Sequence, residues 1–85
     1  MKLLKIKQTN KIYYQSNLDN LYIKFNNIKE PMVKFNDRYL VGSVKPDKLG
    51  DYELQIVDEN DNIIATTIVR VVNVLPYEQW KMSKG

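Results

Sequence analysis

Tyr52-Glu53-Leu54-Gln55-Ile56-Val57 and, five polar residues later, Ile63-Ile64-Ala65-Thr66-Thr67-Ile68-Val69-Arg70-Val71-Val72-Asn73-Val74 decide the fold. In the first segment Tyr52, Leu54 and Ile56 share one face; Glu53, Gln55 and Val57 share the other. A period of two is the pattern of a half-buried strand. The second segment is rich in β-branched residues, which fit a pleated surface. Asp58-Glu59-Asn60-Asp61-Asn62 reads as the hairpin loop between them. In the long strand Ile64, Thr66, Ile68, Arg70, Val72 and Val74 alternate with Ile63, Ala65, Thr67, Val69, Val71 and Asn73. Both faces are largely apolar toward its end, which suggests either a central position in the sheet or a covered outer face. Twelve residues span about 40 Å, so a bulge near Thr66-Thr67 or an overhanging end is expected.

Upstream, the same reading predicts shorter strands. Leu3 to Gln8 alternates weakly and reads as an edge strand, with Thr9-Asn10 as its turn. Ile12 to Gln15 is a short aromatic strand or an extended arm. Asp19 to Phe25 places Leu21, Ile23 and Phe25 inward, and Asn26-Asn27 ends it, because Asn tolerates turn geometry. Met32 to Phe35 reads as a strand with Val33 and Phe35 inward. Pro31 stands at its start, where a missing donor matters least. After the turn Asn36-Asp37-Arg38, Tyr39 to Val44 is read with Leu40 and Val44 inward and Gly42 as a bulge or close approach. Lys45 to Gly50 is the turn into the final hairpin. The reading is all-β, six or seven short strands in a sandwich or barrel. Residues 1–74 form one domain. Residues 75–85 form a C-terminal tail or short helix, with Pro76 at its first helical position.

The chain has 85 residues, which suits one small domain. It contains no cysteine and no histidine. Disulfide staples and Cys/His zinc sites are therefore excluded, and so is the commonest general base near neutral pH. Ser16, Ser43 and Ser83 have no histidine to activate them, and no phosphate loop or dinucleotide fingerprint is present. The chain reads as a non-enzyme with no cofactor and no metal. Oxygen ligands at alternate positions of Asp58 to Asn62 resemble the start of a calcium loop, but its glycine and distal glutamate are missing. A solvated hairpin turn explains that loop. Lys5 and Lys7 interrupt any signal-peptide core, and no run approaches about 18 apolar residues. No signal peptide or membrane anchor is read, and a virion or cytoplasmic location is expected.

Three side-chain groups are candidates for contact. The tail Leu75 to Met82 holds the sole tryptophan. Tyr77, Trp80 and Met82 either dock on a partner or a neighbouring copy, or fold back and cap the core; aromatic side chains serve both ends. Tyr13 and Tyr14 join them as partner-binding candidates. The alternative is a small nucleic-acid-binding or inhibitor protein acting on a nucleic-acid enzyme. In that reading Lys24, Lys34 and Arg38 contact nucleic acid, while Tyr22 and Tyr39 share a face that stacks bases. The net charge of +3 permits nucleic acid as partner without demanding it. Lys2, Lys5, Lys7 and Lys11 read as guards of a sheet edge.

Leu49-Gly50-Asp51-Tyr52-Glu53-Leu54-Gln55-Ile56-Val57-Asp58, followed by Ile68-Val69-Arg70-Val71, resembles small immunoglobulin-like domains of bacterial surface and phage virion proteins. The resemblance spans about residues 50–74. It implies a small immunoglobulin-like β-sandwich in which Tyr52 is the tyrosine-corner residue, its hydroxyl tying the preceding loop. It makes Leu54, Ile56 and Ile68 core residues. It further implies a protein partner or self-association, as an accessory or connector piece of a virion. The cysteine pair and core tryptophan of antibody-type domains are absent, which removes that subclass.

Overall fold

The computed structural model describes residues 2–73. Eight strands form: β1 (Lys2–Lys5), β2 (Asn10–Gln15), β3 (Tyr22–Phe25), β4 (Ile28–Pro31), β5 (Val33–Lys34), β6 (Tyr39–Val44), β7 (Gly50–Val57) and β8 (Ile63–Val72). They make two sheets, one ordered β1-β8-β7-β3-β4 and the other β2-β6-β5. Every pairing is antiparallel except β1 with β8, which runs parallel from Lys2 opposite Val69 to Lys5 opposite Val72. The described residues are thus all-β, in two sheets. Val74 and the tail candidates Tyr77, Trp80 and Met82 lie outside the described residues, as does the expected helix.

The β7–β8 hairpin forms around the five-residue polar loop. Asp58 organises that loop: its carboxylate accepts from the Asn60 and Asn62 backbone amides, both at 2.9 Å, and from the Asn62 side chain at 3.0 Å. The register shifts by one residue between Ile56 and Val57, so Ile64 is the extra residue. The bulge therefore lies beside the loop, not at Thr66-Thr67, and β8 ends at Val72.

Leu21, Ile23 and Phe25 face the core from the β3 segment, and Leu40 and Val44 face it from β6. Leu54 and Ile56 join them from β7, Leu4 from β1 and Ile12 from β2. Each such side chain stabilises the fold by about 1.5–3 kcal/mol relative to its exposed state. Gly42 marks a close approach of the sheets, since a Cβ there would stand 3.0 Å from Ile23 Cγ2.

Three expectations are corrected. Ile28–Pro31 is an additional strand, joined to β3 by Asn26 and Asn27, both at positive φ (51° and 64°). Two left-handed residues make the tight turn whose twist matches a hairpin. The chain then crosses sheets at Met32, whose amide donates to the Leu21 carbonyl at 3.0 Å. That crossing buries Met32 and turns Val33 and Phe35 outward, so they are not the inward pair. Ile68 is likewise no core residue. It is 45% exposed, whereas Val69 is fully buried, because Ile68 pairs with the outward Glu53 and Val69 with Tyr52.

Candidate interaction face

The outer surface of the three-stranded sheet collects apolar side chains in solvent. On β2 the core takes Ile12, with Tyr14 packed beside it, leaving Lys11, Tyr13 and Gln15 outside. Across the ladder Tyr13 stands opposite Val41, and Val41 opposite Val33. Phe35 donates its amide to the Tyr39 carbonyl at 2.9 Å, which sets it beside Tyr39 at the β5–β6 turn. Asn36 Oδ1 closes that turn by accepting from the Arg38 and Tyr39 amides at 2.8 and 2.9 Å. The Phe35 and Tyr13 rings meet edge to face, 5.0 Å between centroids and 77° between planes. Val33, Phe35, Tyr13 and Tyr39 are 60%, 58%, 50% and 37% exposed. Single apolar residues on a surface are ordinary; here several large ones share one face.

Of the partner-binding candidates Tyr13 and Tyr14, Tyr13 belongs to this face and Tyr14 packs against the core. Val33 and Phe35 are the residues that sequence reasoning missed. The signal lay in the turn: with Leu40 inward, Tyr39 is outward, and Phe35 beside it must be outward too.

The basic candidates do not gather. Lys24 lies on β3 in the five-stranded sheet, while Lys34 lies on β5 and Arg38 in the turn of the other sheet. Tyr22 and Tyr39 are also divided between the sheets, so they share no face. The Tyr22 ring instead lies 4.6 Å from the Lys29 ammonium, which pairs with Asp61 at 2.9 Å and donates to the Glu59 carbonyl at 3.2 Å. Lys2 and Lys5 do stand on an edge strand, β1, and Lys11 on another, β2. Lys7 occupies the connecting turn at φ 61°.

The outer surface of the five-stranded sheet carries the exposed Ile68 beside charged side chains. Arg70 donates to Asp51 through two nitrogens, at 2.8 and 3.2 Å. That hydrogen bond, and then the guanidinium charge, hold Asp51 below the usual aspartate value. Lys29 lowers Asp61 in the same way, first by its hydrogen bond and then by its charge. Asp58 is lowered mainly by the Asn62 side-chain amide. Its oxygens are occupied by the amides of its own loop. Among the described residues no group of three or more acidic side chains gathers as a metal site would require, and no helix is long and apolar enough to cross a membrane.

A groove of about 450 Å³ opens between β4 and the end of β6. Ile23, Phe25, Val33 and Val41 line it together with the polar Thr9, Lys11, Glu30, Ser43 and Lys45.

Comparison with known proteins finds no matching family, no matching curated protein and no matching solved structure.

Proposed function

We propose that this chain is a non-catalytic structural or protein-binding module, an immunoglobulin-like sandwich that presents an aromatic face to a protein. One observation carries the reading: Tyr13, Val33, Phe35 and Tyr39 lie together in solvent on one sheet. Aromatic anchors are enriched where protein interfaces concentrate their energy.

The strand order supports the finer assignment. β2-β6-β5 corresponds to strands B, E and D of such a sandwich, and β8-β7-β3-β4 to G, F, C and C′. Tyr52 near the start of β7 donates its hydroxyl to the Leu49 carbonyl at 3.0 Å, as a tyrosine corner does. The step from that architecture to decoration, spacing or connection in a virion rests on the resemblance of residues 50–74, which is an analogy from fold to role.

The test is Phe35→Asp in the full chain. Phe35 is already largely in water, so far-UV circular dichroism and melting temperature should stay those of the parent. Association of the parent, with itself or with a protein from its native source, should be lost. A variant that unfolds, or that associates like the parent, defeats the reading.

A further inference from the structure

Resting on that reading, we propose that the partner is a second copy of this chain, joined along the open edge of β2 in an antiparallel register centred on Tyr13. Among the described residues four strands end the two sheets: β1 and β4 in one, β2 and β5 in the other. An open edge invites another strand, and proteins blunt it with charge, proline or shortness. β1 carries Lys2 and Lys5, β4 carries Lys29, Glu30 and Pro31, and β5 has two residues, one of them Lys34. β2 runs for six residues, Asn10–Gln15, with Lys11 its single charge and no proline.

The hydrogen-bond phase of this edge is fixed. Ser16 N–H donates to the Arg38 carbonyl at 3.0 Å, one step beyond the β2–β6 ladder. Main-chain groups alternate sides along an antiparallel strand, so Tyr14 and Ile12 bond toward β6 as well. The N–H and C=O groups of Lys11, Tyr13 and Gln15 then point away from β6, and among the described residues no strand lies beyond them. A second β2 related by a two-fold axis at Tyr13 makes about six main-chain hydrogen bonds with these groups.

The side chains suit that register. Tyr13 meets the copy's Tyr13, extending the Phe35–Tyr13 contact into four consecutive rings. Ile12 meets the copy's Tyr14. Lys11, the single charge, meets the copy's Gln15 and not its own counterpart. A symmetric pair sets each residue against its mate across the axis, and here no like charges oppose.

The experiment is light scattering and sedimentation of the full chain over a concentration series, with four variants, Phe35→Asp among them, whose fold is checked by thermal melting. Gln15→Glu places a carboxylate opposite Lys11 at both ends and should tighten dimerisation about fivefold; Gln15→Lys should weaken it by a similar factor. Tyr13→Pro deletes an amide that faces away from β6, which edge strands tolerate, and should abolish the dimer. A parent chain that is monomeric throughout overturns the proposal, as does a heterologous partner that Gln15→Lys releases. A dimer indifferent to residue 15 but dispersed by Phe35→Asp also overturns the edge pairing while leaving the module reading intact. A dimer indifferent to both overturns both.

Discussion

Replacing Gly42 by alanine puts a methyl group 3.0 Å from Ile23 Cγ2 and 3.3 Å from both Ile23 Cβ and Cδ1. Carbon atoms at rest stand about 3.5–4.0 Å apart, so the overlap is roughly half an ångström. Ile23 has nowhere to retreat: it is 1% exposed, and its strand is held by β4 on one side and β7 on the other. Overpacking of this kind costs about 1–3 kcal/mol. Alanine also restricts the unfolded chain, which offsets about 0.4–1 kcal/mol. A net loss of about 1 kcal/mol remains, and in a chain of this size that lowers the melting temperature by about 4–8 °C. Urea unfolding and thermal melting, both followed by far-UV circular dichroism, measure it. The same substitution made with Ile23→Leu should be milder, because leucine has no Cγ2 branch. A melting temperature equal to the parent's, or an unchanged penalty beside Leu at 23, would refute the claim that the sheets touch here.

Tyr52→Phe removes the hydroxyl that holds the Leu49 carbonyl; we expect a loss of about 1 kcal/mol in denaturant unfolding, and no change would mean that water replaces the bond fully. Val69→Ala should cost about 2 kcal/mol and Ile68→Ala much less, since the first side chain is buried and the second faces solvent; the reverse order in thermal melts would undo the assigned register. Asp51, Asp58 and Asp61 are each held below the usual aspartate value in the fold. Their stabilisation is therefore complete above the unfolded pKa and is lost as pH falls through the lower folded values. Melting temperature should thus be level from pH 7 to about 5 on account of these groups and decline below about 4. A decline on the alkaline side alone would contradict the sign.

Much of the fold is legible because alternation and burial agree. Leu21, Ile23 and Phe25 are separated by residues that cannot share the core, and Tyr52, Leu54 and Ile56 by Glu53 and Gln55. Where both faces are apolar, a period of two gives spacing without direction. Ile68 and Val69 are equally β-branched, and the outward Glu53 across the ladder decides between them. Val33 and Phe35 were unreadable by hydrophobicity alone, because the chain changes sheets at Met32 and their apolar character serves the surface. Ile28–Pro31 has no alternation at all. Its existence follows from the two left-handed asparagines that return the chain beside β3. The interaction face is half legible for the same reason: the sequence marks Tyr13 as a contact candidate and turns Tyr39 outward, but its alternation assigns Val33 and Phe35 to the interior.

The parallel pairing of β1 with β8 has a mechanical side. Lys2 stands opposite Val69 and Lys5 opposite Val72, and the Ile6 amide adds a bond to the Val72 carbonyl at 3.0 Å. Because the two strands run the same way, a pull on residue 2 and an opposite pull on residue 73 act along the ladder and not across it. The bonds are then loaded together in shear, whereas an antiparallel end pair would open one rung at a time. A molecule strung between two anchors through these ends would yield late and abruptly, which is the behaviour a tether under load requires.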